Sequence, residues 1–120
     1  METKYLSTDE LIKIHDKIIA NSGGHKGIIN YGNIDFTVSQ MNITKTIAGK
    51  VAVILFGIIA RHPFVDGNKR TGLVATETFL NANNKKLTAT EKNLWIVLHR
   101  ISQGEMNISQ IENWIKKNIK

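Results

Sequence analysis

The sequence predicts an all-α fold, a compact helical bundle wrapped around one buried central helix. Three observations predict it. Segments with apolar residues at helical spacing recur along the chain, several opening on a capping residue. The run "VAVILFGIIA" between Lys50 and Arg61 is apolar on nearly every side, which suits a helix enclosed by others. One proline and nine glycines are too few turn-formers for a many-turned β fold. A chain of 120 residues, 42% of them apolar, suits a single domain over 1–120 with one hydrophobic core.

The elements follow in order. Ser7 and Glu10 make a capping box ahead of a first helix that carries Leu11, Ile14, Ile18 and Ile19 on one face. The stretch from Asn21 to Gly24 ends it, with glycine supplying a left-handed cap. "HKGIINYGNIDFTVSQ" then reads as a loop or as a short β-hairpin near residues 24–36, with alternation around Ile34 and Phe36. Helix is expected over roughly 38–61, with Thr44 opening the buried part. Pro63 disfavours helical backbone at His62 and donates no N–H of its own, so the chain breaks there. A further helix should start near Asn68 and run through "RTGLVATETFLNA" until the asparagines at 81, 83 and 84. Thr90 caps the next, which packs through Leu94, Trp95, Val97, Leu98 and Ile101 and ends at Gly104. Asn107 caps the last, with Ile108, Ile111, Ile115 and Ile119 on one stripe and terminal lysines at its negative pole.

Composition excludes several classes. With no cysteine there is no disulfide framework and no thiolate metal site, in keeping with a reducing cytoplasm. The start, "METKYLSTDELIKIHDKIIA", lacks the apolar run of a signal peptide. The longest apolar run is far short of the ~20 residues that cross a bilayer, so no membrane partner is expected. The net charge of +6 and a pI near 9.7 favour phosphate-rich or acidic partners. The lysines are scattered, and the tail "KKNIK" is too short for a nucleic-acid arm, so direct nucleic-acid binding is not expected.

The chemistry concentrates in "HPFVDGNKR", residues 62–70. If a helix begins at Asn68, the first backbone N–H groups around Asn68, Lys69 and Arg70 lack internal partners and carry the positive end of the helix dipole. Such a place binds phosphate. Gly67 lets backbone approach an anion. Lys69 adds a point charge and Arg70 a fork. A carboxylate at Asp66 beside that cradle makes sense if Mg²⁺ bridges it to phosphate oxygens. His62 supplies an imidazole, the side chain that ordinarily titrates near neutrality and can accept a hydroxyl proton. Singly, each has an ordinary use: a helix-flanking histidine, an Asp-Gly-Asn turn, a solvated Lys-Arg pair. Together they read as transfer of a phosphorus group from a nucleotide to a hydroxyl. Elsewhere, His15-Asp16 lacks the further metal ligands of an HD phosphohydrolase, so His15 is expected on a helix face. His25 is flap or surface, His99 is structural, and Trp95 and Trp114 are expected in the core. Phe64 should anchor the loop.

"HPFVDGNKRTG" resembles the signature of the Fic/Doc family, H-x-F-x-(D/E)-(G/A)-N-(G/K)-R, and His62, Phe64, Asp66, Gly67, Asn68, Lys69 and Arg70 all match it. The chain is also similar to the short death-on-curing (Doc) toxins in its length, its start and the glycine-rich stretch before the central helix. The resemblance implies an all-α fold that uses ATP and Mg²⁺. It implies His62 as general base toward a target hydroxyl and Asp66 as metal ligand. Gly67, Asn68, Lys69 and Arg70 would hold phosphates, and residues 24–36 would form a flap that aligns the target by strand addition.

Which group moves turns on Lys69. Family members that attach AMP mostly have Gly there and a further Arg where this chain has Leu73. Doc toxins share the lysine, lack that Arg, and transfer the γ-phosphate to elongation factor Tu, arresting translation. Gly67 points the other way, because Doc itself has Ala there. Lys69 changes both volume and charge, so the resemblance implies a Doc-type kinase first and AMP transfer second. A non-catalytic basic module that binds phosphate or nucleic acid is the third reading. Longer relatives carry an inhibitory (S/T)-x-x-x-E-(G/N) helix. "SQIEN" at 109–113 is one residue short of it, so regulation by a separate Phd-type antitoxin is expected.

Overall fold

A computed structural model of the protein describes residues 2–120. Helix α1 spans Thr8–Ser22 and opens on the reciprocal Ser7–Glu10 capping box, with the Ser7 side chain accepting from the Glu10 amide. It ends at Gly23, whose φ of 80° suits a residue without Cβ. Helix α2 spans Tyr31–Ile43, α3 Ile47–Leu55, α4 Asn68–Ala82, α5 Glu91–Ser102 and α6 Ile108–Lys117. Thr90 and Asn107 cap α5 and α6, and Asn83 ends α4, each where the sequence places it.

Helix α3 is the centre. Ala48 through Leu55 are all buried, and α2, α4 and α6 pack around it. Phe56–Ala60 continue it as a π-helical turn, in which the Arg61 amide reaches back five residues to the Phe56 carbonyl at 3.2 Å. That turn packs on α2, α4 and α5. Close approach sets the geometry on both sides of it. A Cβ on Gly57 would overlap Thr37 Oγ1 of α2, and one on Gly72 would sit 2.6 Å from Ile59 Cγ1. The two glycines let α2 and α4 lie tight against the central rod.

Three boundaries differ from the sequence reading. Residues 24–36 are not a β-hairpin. Asn30 caps a helix by accepting from the Asn33 amide, and Ile34, Thr37 and Met41 turn inward at helical spacing. Phe36, read as the partner of Ile34 in an alternating strand, is 52% exposed. The extended part is only the loop over 23–30, which makes one isolated antiparallel bridge, Ile28 to Phe64. Helix therefore starts at Tyr31 rather than near 38. Finally, Thr44 closes α2 instead of opening α3, whose N-cap is Thr46. The buried Lys50 explains the division. Its ammonium donates to the carbonyls of Met41 (2.9 Å) and Thr44, so a cation caps the negative end of α2 from within α3.

Candidate active site

The central helix delivers the chain to residues 62–67. His62 takes a φ of 47°, in the left-handed region, as the chain leaves the helix for Pro63, and its side chain is exposed. The loop is then fixed from both sides. From outside, the Pro63 carbonyl accepts the amides of Ile29 (2.7 Å) and Asn30 (3.1 Å), while the Val65 amide donates to the Gly27 carbonyl at 3.0 Å. From inside, Phe64 is fully buried. Its ring stacks on His15 of α1, with centroids 3.8 Å apart and planes 6° from parallel.

Asn68 closes the loop. Its side-chain carbonyl accepts the Phe64 amide at 3.1 Å and its NH₂ donates to the Phe64 carbonyl at 2.9 Å. The side chain read from sequence as a phosphate ligand is thus a two-point clamp on the backbone. What Asn68 presents to an anion is its own amide at the first position of α4. No side chain among the described residues caps that helix, and its first turn holds no acidic residue. Gly67, at φ 77°, is its N-cap, and a Cβ there would come 3.2 Å from Ile19 Cδ1. Its glycine answers the left-handed backbone and the packing of α1 beneath it.

Asp66 is gripped by the glycine-rich loop. One carboxylate oxygen accepts the His25 amide at 3.1 Å and the other the Gly67 amide at 2.8 Å. A Cβ on Gly24 would lie 2.8 Å from that first oxygen, so glycine is needed for the loop to reach it. The His25 amide, then the Gly67 amide, hold the Asp66 carboxyl below its ordinary range, against partial desolvation. The group is therefore an anion in neutral solution. Among the described residues no three His, Cys, Asp or Glu side chains converge to cage a metal. A single ionised carboxylate beside an uncapped helix start fits Mg²⁺ held mainly by substrate phosphates and water.

These residues share one open cleft of about 420 Å³, lined by His62, Asp66, Gly67, Asn68, Lys69 and Arg70 together with Val65 and Trp95. All six site residues named from the sequence come together there. Two more were missed. Trp95, expected in the core, packs half-buried against it and also lines the cleft. His15, expected on a helix face, is 1% exposed, and its Nε2 lies 2.7 Å from the Asp66 carbonyl. That nitrogen carries the proton and donates. His15 supports the loop from below through this bond and the Phe64 stack. The signal in the sequence was its spacing, one turn after Leu11 and one before Ile19. His25, left open between flap and surface, lies exposed in the loop over 23–30 and meets Asp66 through its backbone amide.

The all-α fold agrees with the Fic/DOC family, whose profile matches residues 5–80. The chain belongs to that family. It is also similar to a protein named Toxin Doc from Mycolicibacterium smegmatis (strain ATCC 700084 / mc(2)155). The two are 30% identical over 94 residues, covering 72% of this chain and 70% of the relative. No helix among the described residues is long and apolar enough to cross a membrane.

Proposed function

We propose that the chain is a Doc-type toxin that transfers the γ-phosphate of ATP to a hydroxyl of a target protein. The observation that carries this reading is the convergence of six of the seven motif residues on one cleft, with an exposed imidazole at the start of the loop and an uncapped helix start beyond it. Likeness to a protein named Toxin Doc, and Lys69 where AMP-transferring members mostly have glycine, favour phosphoryl over AMP transfer.

In this mechanism the amides of Asn68, Lys69 and Arg70, with the two side-chain cations, hold the phosphate chain. Asp66 would hold Mg²⁺, which neutralises phosphate charge when bound. His62 accepts the target hydroxyl proton as that oxygen forms its bond to Pγ. The bond from Pγ to the bridging oxygen breaks and ADP leaves with the electron pair. Catalysis is mostly positioning, which suits a loop pinned at Pro63, Phe64, Val65, Asp66 and Asn68. The target by this reading is elongation factor Tu, its loss arresting translation in the cytoplasm. A separate Phd-type antitoxin would neutralise the toxin, since no inhibitory helix motif is present in the sequence.

AMP transfer is the second reading, favoured by Gly67. Incubation with elongation factor Tu and ATP labelled at the α or the γ position separates the two. Label from γ alone is expected, and label from α would establish the second reading. Lys69→Gly should slow γ-transfer at least tenfold, whereas unchanged γ-transfer would remove the reason for preferring a kinase.

A further inference from the structure

The left-handed backbone of His62, at φ 47°, is uncommon for a residue with a side chain and persists only where its surroundings hold it. After His62 the hold is plain, because the Pro63 carbonyl accepts the Ile29 and Asn30 amides. Before it stands Arg61, which closes the π turn in right-handed backbone and is half-buried. The Arg61 guanidinium lies against two rings. Its carbon is 5.0 Å from the centre of Phe36 on α2 and 5.1 Å from that of Phe56 in the π turn. Among the described residues no carboxylate pairs with it, and its Nη1 is buried without a hydrogen-bond partner. A guanidinium drawn out of water with no acid to meet it calls for an explanation. The ring contacts are what fix its charged end.

We propose that Arg61 is a positioning residue for His62: held against Phe36 and Phe56, it latches the end of the π turn to α2 and so fixes the backbone from which the imidazole projects. The inference rests on the reading of His62 as general base and adds what aims it. Neither Arg61 nor Phe36 lines the cleft, so both act on the reaction through the chain and not by contact. Arg61 and His62 share a peptide unit, and a rotation there swings the imidazole. A shift of about 1 Å in a reacting group costs roughly 100-fold in rate. Phe36 gains a use by the same account. A phenylalanine that is 52% exposed contributes little to the core, yet it supplies one of the two faces that hold Arg61.

The test pairs backbone NMR relaxation with target labelling from γ-labelled ATP on the same variants. The His62 amide of wild type should show no exchange on the microsecond-to-millisecond scale. Arg61→Gln, which lacks the charge, and Phe36→Leu, which keeps apolar bulk but no ring face, should both show exchange broadening there. Arg61→Lys, which keeps a cation for the rings, should restore most of the wild-type signal. In labelling, Arg61→Gln should lose about tenfold in kcat with ATP affinity and target KM unchanged. Adding Phe36→Leu to it should cost no more, because the two act as one latch. An undisturbed His62 amide in Arg61→Gln overturns the assignment. A raised target KM at unchanged kcat also overturns it, making Arg61 a target-binding cation. A lower thermal midpoint with kcat and the His62 amide unchanged overturns it as well, leaving Arg61 a structural residue only. A wild type that labels nothing overturns the general-base reading alone, and the amide signals then decide the latch.

Discussion

His15 shows how much of the motif loop is held by residues outside the motif. Its Nε2–H bonds the Asp66 carbonyl at 2.7 Å and its ring lies on Phe64 at 3.8 Å. The two interactions can be separated. His15→Phe keeps a ring of similar shape and leaves the part-buried Asp66 carbonyl without its donor, which costs about 1 kcal/mol. His15→Ala loses the stack as well and opens a cavity, so its cost is larger. Denaturant midpoints should therefore fall in the order wild type, Phe, Ala. Equal midpoints for wild type and His15→Phe would show that the hydrogen bond does not hold the loop. The motif from His62 to Arg70 could be read because its residue types are chemically specific at fixed spacing. The support beneath it could not. The spacing of His15, one turn from Leu11 and Ile19, puts it on the buried face of α1, but nothing in sequence says that its partner there is Phe64. The role of Asn68 was hidden similarly, since an asparagine at a helix start serves equally as ligand or clamp until its partners are seen.

The helices were readable wherever capping and periodicity agreed, as in α1, α5 and α6, and α4 was readable from the break at Pro63 and the asparagines after it. Helix α2 was not, because its glycine at 32 and the polar residues between Ile34 and Met41 blur the period. Its inward residues are few and one of them is Thr37. That threonine bonds the Asn33 carbonyl of its own helix at 2.7 Å and meets Gly57 of the π turn. The π turn itself leaves no mark in an apolar run, where a residue more per turn changes nothing in composition. Its consequence is physical, because it sets the direction in which the chain leaves for His62. Gly57→Ala should destabilise the fold by about 1–3 kcal/mol through overpacking. Thr37→Ala should recover part of that loss in the double variant, since it removes Oγ1 and Cγ2 from the added methyl. A double variant no more stable than Gly57→Ala alone would place the strain elsewhere.

Taken as a unit, the molecule is a rigid support for one loop. Its core runs through α3 and the π turn, and the surface ion pairs, Arg100 with Glu105 at 3.6 Å and Lys116 with Glu112 at 3.4 Å, are exposed and add little. The net charge of +6 acts at longer range and, on the proposed function, would draw phosphate-bearing ligands toward a cleft whose own first helical turn is uncapped. The central claim is that the cleft binds a nucleotide and that His62 performs the proton transfer without contributing to the fold. His62 is exposed, so His62→Ala should match wild type in thermal stability. The direct measurement is ATP affinity and target labelling for wild type and His62→Ala in parallel. The account expects the variant to bind Mg·ATP as wild type does and to lose about 10²–10⁴-fold in labelling rate, the usual size of a general-base contribution. Labelling at the wild-type rate by His62→Ala would contradict it.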